Sequence, residues 1–151
     1  MPQSLDRELL YVLNDVARLI RTKADQRART YGMTRAQWVI LSRLERQPGL
    51  SQNEMAAIVE VEPITIARLV DRLESAGFVE RRADPKDRRI WRLHLTPSAQ
   101  PMLAEIKKHK GQLHDEITAG VDPATLDLMV EGLLKLKANL VSDGRESLRA
   151  V

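Results

Sequence analysis

Residues 67–96 read ARLVDRLESAGFVERRADPKDRRIWRLHLT, and this stretch decides the fold of the 151-residue chain. Up to Gly77 its apolar residues recur at steps of three and four, which is typical of an amphipathic helix. From Phe78 onward apolar and polar residues alternate, which is typical of strands. Between the two predicted strands the segment ADPKDR contains a proline and two aspartates, which favour turns. The stretch therefore predicts a helix followed by a hairpin with a charged tip, and we call residues 79–92 the wing.

Immediately upstream, the sequence predicts a helix-turn-helix. Residues 51–54, SQNE, match a capping box, in which the Ser51 hydroxyl accepts from a first-turn amide and Glu54 reaches back to the Ser51 amide. A short helix follows through about Val59. Pro63 then starts the next helix, where its missing N–H costs nothing. The positions of that helix predicted to face inward are Ile66, Leu69, Val70, Leu73 and Ala76.

Further helices flank this motif on both sides. The first is predicted to end near Gly32, and its apolar positions are Leu5, Leu9, Val12, Leu13, Val16 and Ile20. Thr34 can cap a second helix, in which Trp38, Leu41 and Leu44 share a face. Two closing helices begin near Ser98 and at Pro123. The last has a coiled-coil-like seam formed by Leu126, Met129, Leu133, Leu136 and Leu140. The predicted fold class is mainly α with a small β-hairpin wing.

The composition limits the classes of protein to which the chain can belong. Hydrophobic residues make up 43%, enough to build a core, and the formal net charge of +3 is too small to identify a partner. The absence of cysteine excludes disulfides, cysteine-based zinc sites and thiol redox switches. No secretion signal and no run of about 18 apolar residues is present, so we expect a cytoplasmic protein with no membrane segment.

The predicted helix from Pro63 has a polar stripe opposite its apolar face. Thr65, Arg68 and Arg72 lie on this stripe at steps of three and four residues. A helix can enter the DNA major groove, where arginine donates two hydrogen bonds to guanine O6 and N7. We therefore expect Arg68 to read a base. Alternatively, the stripe is simply the solvated face of the helix, with its arginines paired to Asp71 or Glu74.

The wing concentrates the positive charge of the chain. It contains six arginines and lysines against three acidic residues, an excess equal to the net charge of the whole sequence. An arginine at the tip of a hairpin can lie along the minor groove, where the negative potential is strongest, while phosphate contacts set the register. The alternative is an ordinary charged hairpin.

These features together resemble the MarR family of bacterial regulators. The resemblance covers nearly the entire chain, including Ala36-Gln37-Trp38 in the second helix, and it is most specific in residues 67–96. It implies a winged helix-turn-helix lobe on each subunit of a symmetric homodimer, with the helix from Pro63 as the recognition helix. By position, Arg89 of the Asp87-Arg88-Arg89 run would enter the minor groove, braced by Asp87. Ser51 and Gln52 would lie near phosphates.

The resemblance also implies a division of the chain. Residues 33–96 would form the DNA-binding lobe and residues 1–32 with 97–141 the helical dimerisation region, while residues 142–151 should fray. Ala99 departs from the family pattern, since many relatives have glycine there. Pro101 is accepted only if the following helix begins late, near Ser98. The hinge between lobe and dimerisation region near Ala99-Gln100-Pro101 is therefore left open by the sequence.

Family members often bind small aromatic acids or phenols between the lobe and the dimerisation helices. By resemblance, the candidate pocket residues are Tyr11, Val16, Trp38 and His109. Each of them also fits a purely structural role, and for Trp38 packing in the core is the better interpretation. His109 and His114 lie about 140° apart on one helix, so they do not form a metal pair.

The predicted function is that of a sequence-specific regulator of transcription that binds double-stranded DNA. We expect a repressor whose operator is a pseudo-palindrome with half-sites about 10 bp apart, released by an aromatic or phenolic effector. We expect neither a cofactor nor an enzyme, since the sequence contains no glycine-rich phosphate loop, no HExxH and no GxSxG. The alternative is a winged-helix module that binds only proteins.

Overall fold

A computed structural model describes the backbone of residues 5–149 and the side chains of residues 8–142. The fold is mainly α with one antiparallel hairpin, which confirms the predicted class. In chain order the elements are α1 (Leu5–Arg29), α2 (Arg35–Arg46), α3 (Gln52–Val59), α4 (Pro63–Ser75), β1 (Val79–Ala83), β2 (Trp91–Leu95), α5 (Gln100–Thr118) and α6 (Pro123–Arg149).

Polar caps set the starts of the helices in the lobe. Thr34 caps α2 in a complete capping box, because its side chain accepts from the Gln37 amide while the Gln37 side chain accepts from the Thr34 amide. Ser51 caps α3 through the Glu54 amide, as predicted. The second half of that predicted box is wrong, since the Glu54 carboxylate lies 3.7 Å from the Arg92 guanidinium.

The apolar core is formed mainly by the lobe and extends to α1 and α5. Ile66, Val70 and Leu73 of α4 are buried as predicted, and Leu69 is half-buried. Ala76 is exposed, contrary to the prediction, because α4 ends at Ser75 and Ala76 is its C-cap. The other buried members come from every neighbouring element and include Trp38, Ile40, Leu41, Leu44, Met55, Val79, Leu93, Ala99, Leu103 and Ile106.

The start of α5 accommodates the departure from the family pattern. A short 3-10 turn, Pro97–Ala99, precedes the helix, which begins at Gln100. Pro101 therefore lies in the first turn, where a backbone N–H has no partner within the helix. Ala99 is fully buried in the core. The late helix start that Pro101 requires is thus present, although it falls two residues beyond Ser98.

The chain divides into two compact units between Gly111 and Gln112. In the second unit the predicted seam of α6 is open in the single chain: Met129 is 52%, Leu133 41% and Leu140 74% exposed. Helix α6 continues to Arg149, through most of the segment that the sequence predicts to fray. Residues 150 and 151 of that segment lie outside the described residues. Within the described part of the chain, no helix is long and apolar enough to cross a membrane.

Candidate nucleic-acid interface

Helix α4 places three of the eight predicted DNA-contact residues together. Thr65, Arg68 and Arg72 are all exposed, on the side of α4 away from buried Ile66 and Val70. The helix needs no side-chain cap at Glu62, because Pro63 occupies its first turn and removes one unpaired amide. A 13-residue helix with this polar stripe has the size and chemistry to enter a major groove.

The wing is an antiparallel ribbon of five residue pairs. Val79 lies opposite Leu95, and Arg81 lies opposite Leu93, on the ribbon face that covers the core. A third extended segment joins the ribbon at its other edge, since Ser51 forms a bridge with Arg92 and the Leu93 amide donates to Leu50 O at 2.9 Å. The wing is therefore hydrogen-bonded to the start of α3 as well as within itself.

Asp84 organises the turn at the tip of the wing. Its Oδ1 accepts from the amides of Lys86 at 2.7 Å and Asp87 at 3.1 Å, and its Oδ2 accepts from Arg92 Nε at 2.6 Å. Arg92 Nη1 in turn donates to Gly49 O at 3.0 Å. The Arg92 bond, followed by the Lys86 amide, lowers the pKa of Asp84 below its ordinary value. Asp84 therefore ties the tip to the loop before α3.

The expected brace between Asp87 and Arg89 is present. Arg89 Nε and Nη2 each lie 3.1 Å from an Asp87 carboxylate oxygen, a two-bond contact, and the Arg89 amide donates to Asp87 Oδ1 at 3.0 Å. These bonds lower the pKa of Asp87 and raise that of Arg89. Arg89 is still 91% exposed, and Arg88 beside it is also exposed. The tip thus presents two arginines to solvent, one of them oriented.

Ser51 and Gln52 lie at the start of α3, between the wing and α4. The Ser51 side chain is buried and its hydroxyl is engaged by the Glu54 amide at 3.0 Å. Gln52 is half-buried, and its Oε1 accepts from Arg81 Nε at 3.0 Å. Both side chains therefore hold the lobe together, and a role at phosphates stays a prediction for both of them.

Three residues that hold this surface together stand out in the sequence only as charges of the wing. They are Asp84, Arg81 and Arg92. The sequence contained a signal for Arg81. Because side chains alternate along a strand, Arg81 shares a face with Val79, and it pairs with the apolar Leu93. An inward-facing arginine was therefore predictable. For Asp84 and Arg92 the partners come from the tip and from Gly49, which sequence spacing does not bring together.

A separate aromatic cluster joins the turn after α1 to α2 and α5. It contains two of the four predicted effector residues, Trp38 and His109, whose ring centroids are 5.6 Å apart. Tyr31, which the sequence reasoning missed, completes it at 5.9 Å from Trp38 and 5.3 Å from His109. Trp38 is 5% exposed, and its Nε1–H has no hydrogen-bond partner within the described part of the chain. A buried donor without a partner is rare in native proteins.

The hydrogen bonds of the cluster fix the tautomer of His109. Arg27 Nη1 lies 3.3 Å from His109 Nδ1 and can only donate, so Nδ1 accepts and Nε2 holds the hydrogen. Nε2 then donates to Tyr31 Oη at 2.8 Å, and Tyr31 donates to Glu105 Oε2 at 2.7 Å. The bond to Glu105 raises the pKa of Tyr31. In each of these three hydrogen bonds the donor and the acceptor are therefore defined.

The other two predicted effector residues are not part of this cluster. Tyr11 is 77% and Val16 41% exposed. Both precede Arg27 on the same helix, by about 24 Å and about 16 Å along its axis. Among the described residues, no group of three histidine or acidic side chains is placed to hold a metal ion.

Comparison with known proteins places this geometry in a family. The family model described as "MarR family" matches residues 33–91, which include every predicted DNA-contact residue. The transcriptional regulator PA3341 is 34% identical, with 89% of this chain and 98% of that chain covered and a TM-score of 0.77. The chain belongs to the MarR family. Members of this family are regulators of transcription, not enzymes.

Two more solved structures of the family share the fold. The crystal structure of MarR is 29% identical over 91% of this chain and 94% of that chain, with a TM-score of 0.81. A MarR transcriptional regulator from Methanosarcina mazei Go1 is 22% identical over 90% and 98%, with a TM-score of 0.80. The second likeness supports the fold only. Over nearly its whole described length, the chain is therefore built as a MarR-family winged-helix protein.

Proposed function

We propose that this MarR-family chain binds double-stranded DNA sequence-specifically and represses transcription. The observation that carries the proposal is the exposure of two basic patches on one hydrogen-bonded lobe: the Thr65, Arg68 and Arg72 stripe and the Arg88-Arg89 tip. The stripe suits base edges in the major groove, and the tip suits the minor groove. Such a regulator would act in the cytoplasm, where bacterial DNA lies.

We propose further that the functional form is a homodimer. Support comes from the apolar residues that α1 and α6 leave exposed in the single chain, including Leu10 at 63% and Leu140 at 74%. Large exposed apolar surfaces of this kind mark protein interfaces. Two lobes related by a twofold axis would bind a pseudo-palindromic operator with half-sites about 10 bp apart.

Selection of bound fragments from the source genome tests the proposal. We expect the wild-type chain to enrich pseudo-palindromic duplexes, and the double variant Arg68→Ala with Arg89→Ala to lose the enrichment. The variant is compared with Arg18→Ala and Arg43→Ala together, which removes the same charge away from both patches. Equal binding by the two double variants would contradict DNA recognition and favour a module that binds only proteins.

We propose that a small aromatic acid or phenol releases the DNA by binding beside Trp38, His109 and Tyr31. The unpaired Trp38 Nε1–H supports this, because it offers a donor to a carboxylate or phenolic oxygen, and the rings offer stacking surfaces. Tyr11 and Val16 are left out of the proposed site, since both lie far along α1 from these rings.

Tryptophan fluorescence tests the effector proposal separately. In a Trp91→Phe variant Trp38 is the one remaining tryptophan, because the chain has two. We expect saturable quenching by salicylate, used as a simple aromatic acid, and loss of that quenching in the additional His109→Ala variant. Quenching that rises linearly without saturation would contradict the effector site and leave the DNA proposal unaffected.

A further inference from the structure

Arg81 makes contacts that its neighbours in the wing do not share. Its side chain is only 14% exposed, although it belongs to a strand at the lobe surface. Nε donates to Gln52 Oε1 at 3.0 Å, and Nη1 donates to Glu74 Oε1 at 3.2 Å. Nη2 donates to the main-chain oxygen of Ala67 at 3.1 Å and forms an ion pair with Asp71 Oδ1 at 2.7 Å. All three guanidinium nitrogens are therefore in use.

The partners of Arg81 come from two helices, while Arg81 itself belongs to the wing. Gln52 is the first residue of α3, and the other three lie on α4. A further bond runs from the Arg81 amide to Glu74 Oε2 at 3.2 Å. Because guanidinium is planar and rigid, the directions of these bonds constrain all three elements at once.

On α4 the Arg81 partners occupy a face of their own. Ala67, Asp71 and Glu74 follow steps of four and three, so they form one stripe. This stripe lies about a third of a turn from the core face and about a third of a turn from the Thr65, Arg68 and Arg72 stripe. The contacts of Arg81 with this stripe restrict the rotation of α4 about its own axis. Packing of the core face alone restricts that rotation less.

A small rotation of α4 is enough to disrupt base reading. Atoms at the outer radius of a helix, about 5–6 Å from its axis, move by about 1 Å when it turns by about 10°. A hydrogen bond of about 2.9 Å lengthened by that amount is broken. By contrast, ion pairs with carboxylates as exposed as those of Asp71 at 64% and Glu74 at 45% contribute little stability.

We propose that Arg81 is a positioning residue for DNA recognition: it holds α4 and the wing at the setting in which both basic patches contact one duplex. The inference rests on the proposed DNA-binding function. Arg81 itself does not contact DNA in this proposal, because its nitrogens are committed to Gln52, Ala67, Asp71 and Glu74.

Two variants, each with a matched control, test the proposal. Arg81→Met removes the guanidinium contacts with α3 and α4. The control, Arg82→Met, removes the same charge from the next residue, whose side chain is 58% exposed and pairs with Glu80. We expect Arg81→Met to lower operator affinity by about 10- to 100-fold and Arg82→Met by about threefold at most, since single surface cations contribute weakly and additively. Binding to a scrambled duplex should fall equally in both.

Arg81→Lys covers the case in which Arg81→Met does not fold. Lysine keeps the charge but lacks the planar fork, so it cannot meet the four acceptors together. We expect Arg81→Lys and Arg82→Lys to have the same melting temperature. The ratio of operator affinity to scrambled-duplex affinity should nevertheless fall at least tenfold in Arg81→Lys. A purely structural role would change the melting temperature and leave this ratio unchanged, which would overturn the proposal.

A second measurement asks whether the two patches act together. In the wild-type background Arg89→Ala should weaken operator binding by about tenfold, and in the Arg81→Lys background by less than about twofold, because the wing would no longer be held in register. An equal cost in both backgrounds would overturn the positioning role. A wild-type chain that does not distinguish operator from scrambled duplex would overturn the DNA proposal itself, and this inference with it.

Discussion

The wing and helix α6 differ in how far their apolar side chains are buried. In the wing and the strands that form it, the apolar side chains of Val79 and Leu93 are buried, and the charged side chains of Arg81, Asp84 and Arg92 are held by hydrogen bonds. In α6 the seam residues Leu133 and Leu140 are 41% and 74% exposed in the single chain. The core-facing side of the wing is thus packed within the lobe, whereas α6 presents an apolar surface that water does not favour.

This difference indicates where each region finds its partner. A surface of oriented charges such as Arg89 with Asp87 suits a polyanion, because the charges stay solvated until the phosphates arrive. An apolar seam such as that of α6 suits another apolar surface. We therefore expect substitutions in the wing to change DNA binding and substitutions in α6 to change assembly.

The largest expected effect is on assembly. Met129→Glu with Leu133→Glu should weaken the dimer by at least about 100-fold, since two buried apolar side chains contribute about 1.5–3 kcal/mol each. Sedimentation over a range of concentrations measures the change. Asn139→Glu with Ser142→Glu adds the same charge to polar positions of α6 and should leave the dimer intact; dissociation of both variants would show that the seam is not the interface.

The next effect compares one leucine in each region. Leu93→Ala, at a fully buried position of the lobe, should lower the free energy of unfolding by about 2–5 kcal/mol. Leu128→Ala, at a position 68% exposed, should change it by no more than about 0.5 kcal/mol. Urea unfolding at one fixed protein concentration measures both. Equal losses would mean that Leu128 is as buried in the working assembly as Leu93 is in the lobe.

Base reading should be affected less strongly by a single change. Arg68→Ala should cost about 1–3 kcal/mol of operator binding and relax the choice of base at one position of each half-site. Binding to operators substituted position by position measures the loss of choice. A uniform loss over all positions would assign Arg68 to phosphate contact and leave base reading to Thr65 or Arg72.

The wing arginine should show its role in the dependence on salt. Arg89→Ala should weaken binding to every duplex and reduce the slope of log K against log salt by about 0.9 for each phosphate that the variant no longer neutralises. Arg82→Ala, at an arginine already paired with Glu80, is the matched control. An unchanged slope in Arg89→Ala would remove the tip from the interface.

The smallest effect is on acid stability. The pKa of Asp84 is lowered below its ordinary 3.8, mainly by the hydrogen bond from Arg92. The ionised form is therefore favoured in the folded state, and the resulting stability is present above about pH 4 and lost as the pH falls through the folded pKa. Asp84→Asn should flatten the fall in melting temperature below pH 4 relative to the wild-type chain. An equally steep fall in the variant and the wild type would contradict a special role for Asp84.

The order of elements and the outward stripe of α4 follow from patterns within short stretches. Helical periodicity, the switch to alternation at Phe78 and the position of Pro63 depend on neighbours a few residues away, so the sequence predicts them well. The Asp87–Arg89 pair is also local, two residues apart. The Thr34 cap was predicted, and the reciprocal bond of Gln37 was missed although residues 34–37 have the capping-box pattern, which is also local.

Contacts across long separations were decided only by the tertiary structure. Arg81 meets Gln52 across 29 residues, Arg92 meets Gly49 across 43, and Tyr31 meets His109 across 78. Spacing does not encode such pairs, because they depend on how packed elements bring distant side chains together. The sequence by itself thus determined the elements and the surface that we propose binds DNA. The tertiary structure decided which hydrogen bonds hold that surface in place, and it brought Tyr31 beside Trp38 and His109.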